Sequence, residues 1–403
     1  MKLTVPTNWQ EDLIERIKKP GVHTVYGKLD RDFVGGGRPS CVLNKVTRNK
    51  ARLHVNKIRQ EGFEFHYLLN ASCLGNREWT RSGQNELRKL LNWLSEINTD
   101  GVVVASPYLA QFIKKKYPQL KISVSCFANV NSVEKAKFWE GLGACVITLS
   151  QVELNRNFKL LKQIRKNVKL ELQLIVNDNC THDCPLFFYH NNVTSHGSQN
   201  QNNRGSFMFD YCFLICRHLM LAEPLNFIRS AWIRPEDTKI YEGFGIDKLT
   251  VIDRIMDIDN ISSIVDAYSK GSYAGNLYDL FINPSKSLWL KKPNFFHKLK
   301  YFFHPFSINL FKILKHRGVV KDIEVYIDNT KLEGFINYFF DEDCRYKSCK
   351  ECGYCQEVAD KVVRISPEYR QKTAKEYGAF LEEIISGEIF RYFSADAIER
   401  PNQ

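Results

Sequence analysis

Eight short apolar runs recur along the first two thirds of this 403-residue chain. They are Leu3–Val5, His23–Tyr26, Phe63–Leu69, Gly101–Ala105, Ile122–Phe127, Ala144–Leu149, Leu170–Val176 and Ile246–Ile252. Stretches of helical period lie between most of them, for example Glu86–Ile97, Val133–Glu140 and Asn155–Arg165. Alternation of this kind builds parallel βαβ units. Eight units predict an α/β fold, a (β/α)8 TIM-type barrel, with a doubly wound open sheet as the alternative. The chain is long enough for that barrel and an appendage. The expected division is a barrel over 1–283, a basic aromatic segment over 284–343 and a cysteine-rich, helical module over 344–403.

In such barrels the chemistry sits at the carboxyl ends of the strands. Here those ends carry Asn8 and Trp9, Asn70 to Cys73, Ser106, Ser125 to Asn129, Ser150 to Glu153, and Asn177 to Cys180. Glu153 and His182 are the candidate proton-transfer groups, because a carboxylate or imidazole at the mouth titrates usefully. In the closing stretch Ser230–Arg254, Pro235 suits a first helical turn, with Glu236 and Asp237 favourable at its positive end. Gly243 and Gly245 then end that helix. Arg229, Arg234 and Arg254 flank the predicted mouth. They either hold a carboxylate or phosphate through bidentate contacts, or serve as salt-bridged structure.

Eight of the 12 cysteines fall in two sets of four. Cys180-x3-Cys184 and Cys212-x3-Cys216 bracket a loop over 177–217 whose middle, Asn191 to Gly205, is rich in Asn, Gln and Ser. Cys344-x4-Cys349-x2-Cys352-x2-Cys355 places four thiols within 12 residues. The chain opens MKLTVPTNWQEDL, without a basic stretch followed by an apolar one, so a cytoplasmic location and reduced thiols are expected. Close thiol pairs there point to a metal centre. An iron–sulfur cluster is the first reading at both sets; zinc is its competitor, above all at the C-terminal set, and buried apolar cysteine is the plainest account of the first. Lys347 and Lys350 would lie close to the sulfurs of the second set. Of the remaining cysteines, Cys126 and Cys145 read as core and Cys73 as a residue near the mouth.

The formal net charge is +12, which favours an anionic partner without choosing it. From Pro284 to Val320 there is no acidic residue, and lysines alternate with Trp289, Phe295, Phe296, Tyr301 and further aromatics. That mixture suits an RNA backbone with stacked bases, a membrane surface or lipid, or simply a helical subdomain with solvated lysines. No run there is long enough to span a membrane.

The sequence resembles the U32 peptidase family, which includes oxygen-independent hydroxylases. The residues that carry the resemblance are Ser125-x3-Asn129-Val130-Asn131-Ser132, Phe138-Trp139, Gly143, Ile147-Thr148-Leu149-Ser150, Glu153-Leu154, Asn179-Cys180, Cys212, Cys216, Ile233-Arg234-Pro235-Glu236-Asp237, Gly245-Ile246 and Arg254. It covers about residues 1 to 270 and implies a barrel-like catalytic domain. By position, it implies that Cys180, Cys184, Cys212 and Cys216 ligate a [4Fe–4S] cluster. It further implies hydroxylation of an RNA base or an aromatic metabolite without O2, with a prephenate-like anion as co-substrate; a redox enzyme of this kind would also take electrons from a donor protein. Other members are described as collagenase-like proteases. The chain departs from the hydroxylase signature between its second pair of cysteines, where Phe213-Leu214-Ile215 stands instead of Gly and Ser-Gly. Neither His-Glu-x-x-His nor G-x-S-x-G occurs. Two alternatives therefore accompany the redox enzyme: a peptidase, and a non-catalytic iron–sulfur subunit of a partner enzyme.

Overall fold

The structure is a computed structural model and describes residues 1–200, 210–282, 309–316, 319 and 323–390. Eight strands close into one parallel barrel in sequence order: β1 (Lys2–Pro6), β2 (Val22–Gly27), β3 (Glu64–Leu69), β4 (Gly101–Val104), β5 (Lys121–Val124), β6 (Val146–Thr148), β7 (Glu171–Ile175) and β8 (Lys248–Thr250). β8 pairs back onto β1 through Lys2–Lys248, Leu3–Leu249 and Thr4–Thr250. All eight apolar runs are strands, and closure rules out the open sheet.

The strands begin in a ring of charge. Lys2 and Lys248 each meet Glu171 at 2.7 Å, and Lys121 pairs with Glu64. Inside the barrel a polar layer follows, in which Thr4 Oγ1 donates to Gln173 Oε1 and Gln173 Nε2 donates to Thr148 Oγ1, both at 2.9 Å. The apolar core lies mainly between the sheet and its helices, among them α1 (Leu13–Ile17), α2 (Arg48–Gln60) and α5 (Val133–Gly141). Leu87, Leu90, Leu91 and Leu94 of α3 (Arg81–Glu96) are all buried, at the spacing of one helix face. Each such leucine contributes about 1.5–3 kcal/mol.

Local chemistry sets the helix ends. Thr80, Ser106 and Asn157 cap α3, α4 (Pro107–Lys116) and α7 (Phe158–Asn167). With Asn157 as its cap, α7 starts three residues later than the predicted Asn155–Arg165 and ends two later, and α6 (Gln151–Leu154) is a separate turn before it. Pro235 opens a 3-10 turn, Pro235–Asp237, followed by α11 (Thr238–Gly243). Gly245 then takes φ +82°, and a Cβ there would meet the Arg165 side chain at 2.6 Å.

The Asn191–Gly205 stretch is a loop only in part. α8 (Phe187–His196) runs into it, and Ser195 and Ser198 are fully buried; residues 201–209 lie outside the described residues. α9 (Tyr211–Ala222) and α10 (Leu225–Ile228) complete the insertion before β8, and α12 (Ile258–Lys270) follows it.

The chain beyond residue 323 packs onto the barrel and this insertion. Trp232 stacks on Phe335 at 5.4 Å, and Phe158 meets Phe340 edge-on at 4.9 Å. The helix Pro367–Ile385 runs along α9, where His218 Nδ1 lies 3.1 Å from the Ala374 carbonyl. Most of the basic aromatic segment 284–320 lies outside the described residues. Of its described part, the helix Leu310–Lys315 pairs Lys312 with Glu388 at 2.7 Å and Lys315 with Glu383 at 2.8 Å. Among the described residues no helix is long and apolar enough to cross a membrane.

Candidate active site at the barrel mouth

The mouth is built from the residues that follow each strand, and it is polar to an unusual depth. Lys28, Asp32, Asn70, Ser125, Asn129, Ser150, Gln151, Asn177, Asp178, Asp253 and Arg254 are all buried there. After β2, Lys28 pairs with Asp32, and the Tyr67 hydroxyl donates to Asp32 at 2.7 Å. Burial and the neighbouring Arg254 cation hold the Lys28 ammonium well below the usual lysine range. Arg38 pairs with Asp253. The three glycines that precede Arg38 let the backbone approach closely: a Cβ on Gly36 would stand 2.8 Å from Asn70 Oδ1.

Arg254 differs from its neighbours. It is 5% exposed, and neither Nη1 nor Nη2 has a hydrogen-bond partner among the described residues. Burial lowers its basicity to about 10, against the opposing charges of Asp253, Tyr26 and Tyr67. Asn70 Oδ1, Asn129 Oδ1, Ser150 Oγ and Gln151 Oε1 are likewise buried and unpartnered. Buried polar atoms are nearly always satisfied, so these five residues leave unused hydrogen-bonding capacity at the mouth.

The insertion covers this mouth by polar contacts. Gly36 N–H donates to Ser198 Oγ at 2.8 Å, Gln199 Nε2 donates to the carbonyls of Val34 and Cys73, and Ser72 N–H donates to Ser195 Oγ at 3.1 Å. It also gathers the first cysteine set. Cys212 and Cys216 stand one turn apart on α9, which Asp210 caps through Phe213 N–H. Cys180 and Cys184 lie on the loop after β7, held by Asp178 Oδ1 to Cys180 N–H at 3.1 Å and Ala231 N–H to the Cys180 carbonyl at 2.8 Å. The four thiols act on one another. Burial, then neighbouring carboxylates and thiols, push Cys212 up to about 12; burial likewise raises Cys216 to about 12 and Cys180 well above the usual thiol range. Four thiolates could gather here only around a positive centre.

The second set lies around the 3-10 turn Cys344–Tyr346 and the short helix Cys349–Cys352, which Ser348 and Glu351 close with a capping box. Burial raises Cys355 to about 11, with the other three thiols adding to the rise. The Tyr338 hydroxyl lies 3.0 Å from Cys352 Sγ. Lys347 is drawn to Glu342 at 2.7 Å. Among the described residues, no three His, Cys, Asp or Glu side chains are placed to hold a single metal ion. Both sets are thiol-only, the donor set that iron–sulfur clusters take.

The other sequence-predicted groups fall in different places. Glu153, in α6, accepts from Asn129 Nδ2 at 3.1 Å and from Asn131. His182 is part-buried, and burial with the Arg156 charge lowers its basicity. Arg229 reaches Asn226 at 3.3 Å, and its Nε has no partner among the described residues. Arg234 is committed to structure: its Nε donates to Asn329 Oδ1 at 2.8 Å and its Nη1 to the Leu332 carbonyl at 2.6 Å, tying the 329–332 turn to the barrel. Cys73 lies on the rim, where Gln199 binds its carbonyl. Cys126 is half-buried in a 3-10 turn at the mouth, and Cys145 is exposed; neither belongs to the apolar core.

Sequence reasoning passed over Lys28, Asp32, Tyr67, Arg38 and Arg156. The GKLDRDF run directly after β2 was the available signal for the first two. A cavity of about 600 Å3 beside the end of β1, lined by Trp9, Lys45, Lys50, His54 and Lys57 among others, was missed as well.

Residues 44–216 match the model of peptidase family U32. A relative from Methanocaldococcus jannaschii, named "Uncharacterized protease MJ1657", is 30% identical over 334 residues, 83% of this chain and 87% of that protein. This chain belongs to peptidase family U32.

More distant U32 relatives carry a different kind of name. "tRNA hydroxylation protein P1" of Bacillus subtilis is 22% identical over 62% of this chain and 59% of its own length. "tRNA hydroxylation protein P" of Escherichia coli is 23% identical over 36% of this chain and 31% of its own. The solved U32 peptidase Mk0906 covers 63% of this chain and 93% of its own, at 23% identity and a TM-score of 0.48. The U32 match takes in Cys180, Cys184, Cys212 and Cys216; Cys344 to Cys355 lie beyond it.

Proposed function

We propose that this U32 chain is an iron–sulfur redox enzyme of the oxygen-independent hydroxylase type. The observation that carries the reading is the seat of the cysteine insertion on a polar barrel mouth: Asp178 holds both Gln151 of the mouth and the Cys180 N–H, and Cys212 and Cys216 stand one turn apart on α9. Cys180, Cys184, Cys212 and Cys216 would hold one [4Fe–4S] cluster, and Cys344, Cys349, Cys352 and Cys355 a second, with zinc the alternative there. A bound cluster supplies one-electron chemistry.

The chain's own groups do the rest. Arg254 takes a carboxylate of an anionic, prephenate-like co-substrate through its two free nitrogens. Glu153, oriented by Asn129 and Asn131, and His182 are the groups placed to move a proton. The buried walls and the Ser195–Gln199 turn exclude water. An RNA base or an aromatic metabolite is the favoured substrate. Support comes from the net charge of +12, from the lysines beside Trp9, and from two relatives named for tRNA hydroxylation. A separate electron donor protein completes the system.

A peptidase is the second reading, favoured by the name of the Methanocaldococcus relative. The deciding experiment is iron, sulfide and zinc analysis with absorption and EPR spectra on anaerobically purified protein. Two four-cysteine clusters give about eight irons per chain. Stoichiometric zinc without iron, with peptide cleavage, overturns the redox reading.

A further inference from the structure

Between the two cysteine sets stands one buried cation. Arg156, in the turn joining α6 to α7, is 8% exposed. Its Nη1 donates to the Ile228 carbonyl at 2.5 Å and its Nη2 to the Ser230 carbonyl at 2.6 Å. That backbone is the piece on which the first set leans: Ser230 Oγ donates to the Asn179 carbonyl at 3.1 Å, and Ala231 N–H donates to the Cys180 carbonyl.

On its other side Arg156 faces the second set. The guanidinium lies over the rings of Trp232, Phe335 and Phe339, at 4.6, 4.9 and 5.3 Å. Phe335 stacks on Tyr354, the neighbour of Cys355, at 5.7 Å and 7°. Tyr354 stacks on Tyr338 at 3.8 Å, and the Tyr338 hydroxyl touches Cys352. The next residue, Asn157, donates to Asp343, beside Cys344, at 3.4 Å.

What Arg156 lacks, among the described residues, is a hydrogen-bonded carboxylate. Among the described residues every hydrogen bond it makes goes to a neutral carbonyl, and its Nε has no partner. A buried charge without a partner is costly and is retained for a reason. Burial lowers its basicity, and the groups that oppose this are Cys355, Tyr241, Cys344 and Asp237. Two of these four are cysteines of the second set.

We infer that Arg156 is the counter-charge of the Cys344–Cys355 site, a positioning residue that sets that site's reduction potential and fixes it against the Cys180 loop. The inference rests on the iron–sulfur reading above. A four-thiolate cluster is anionic and gains one more negative charge on reduction, so an adjacent guanidinium favours the reduced form and raises the midpoint.

The test is an EPR-monitored redox titration of the anaerobically purified full chain, with iron content measured on the same samples. A Cys212→Ser background isolates the C-terminal site. Arg156→Gln should keep the iron of that site and shift its midpoint to more negative potential. Arg156→Lys should shift it in the same direction by less, because an ammonium cannot span both carbonyls and the three rings. An unchanged midpoint in iron-loaded Arg156→Gln, or a shift in Arg156→Lys as large as that in Arg156→Gln, overturns the inference while leaving the cluster reading intact. Absence of iron from the wild-type chain overturns both.

Discussion

Asp178 holds Cys180 directly: its Oδ1 accepts the Cys180 backbone N–H at 3.1 Å, while its Oδ2 accepts from Gln151 Nε2 at 2.8 Å. The floor of the barrel mouth and the first cysteine loop are therefore one hydrogen-bonded unit. Replacing Asp178 by Ala leaves both donors without that acceptor, at a cost of about 1–3 kcal/mol each where they stay dry. Urea denaturation should show that loss, and the metal content of the first site should fall with it. Wild-type stability together with full metal content would show that the contact is dispensable.

The two cysteine sets are predicted to load independently, because each has its own four thiols. Cys212→Ser should remove about half of the iron and abolish turnover, and Cys349→Ser should remove the other half. Iron per chain with EPR spectra of both variants reads this out. Loss of all iron in either variant would mean a single shared centre.

Arg254 is expected to trade stability for binding. Its buried guanidinium has two unpartnered nitrogens, so Arg254→Met should stabilise the ligand-free protein by about 1 kcal/mol or more. The same variant should lose binding of small dicarboxylates in calorimetry. A fall in Tm with binding intact would place Arg254 among the structural arginines, as Arg234 is.

His54 should make stability fall in mild acid. Its ring nitrogen lies 2.8 Å from Thr7 Oγ1, and burial, with Lys57 nearby, lowers its pKa to about 4. An unfolded histidine titrates near 6.5, so the unfolded chain binds the extra proton first. Stability from this group is complete above about pH 6.5 and is lost as pH falls towards about 4, by up to roughly 3 kcal/mol. Urea midpoints of wild type and His54→Gln between pH 4 and 7 check the slope, which the variant should flatten. Parallel curves would assign the acid sensitivity elsewhere.

Much of the architecture was legible because it depends on local pattern. Apolar runs with helical stretches between them fix the period of each element and hence the order of a parallel barrel. Boundaries that rest on capping were less so: the Asn157 side chain caps α7 and so starts that helix at Phe158, three residues inside the amphipathic stretch. The Asn191–Gly205 stretch misled for a different reason. Its polarity suggested a solvated loop, yet Asn191, Thr194, Ser195 and Ser198 are buried, because a polar barrel mouth is covered by polar partners. Cys145, in an apolar strand context, proved exposed because it lies just ahead of β6.

The amino-acid sequence by itself determined the barrel, the position of the cysteine insertion after the seventh strand and the grouping of eight thiols into two sets, since spacing along a chain dictates all three. Only the tertiary structure decided which arginine does what. Arg234 is tied by hydrogen bonds to a turn near residue 330, Arg254 stands at the mouth with two nitrogens unpartnered among the described residues, and Arg156, unremarkable in sequence, lies between both cysteine sets. A guanidinium's role depends on what surrounds its five N–H groups, and here those surroundings come from segments far apart in the chain, brought together only by closure of the barrel and docking of the C-terminal module.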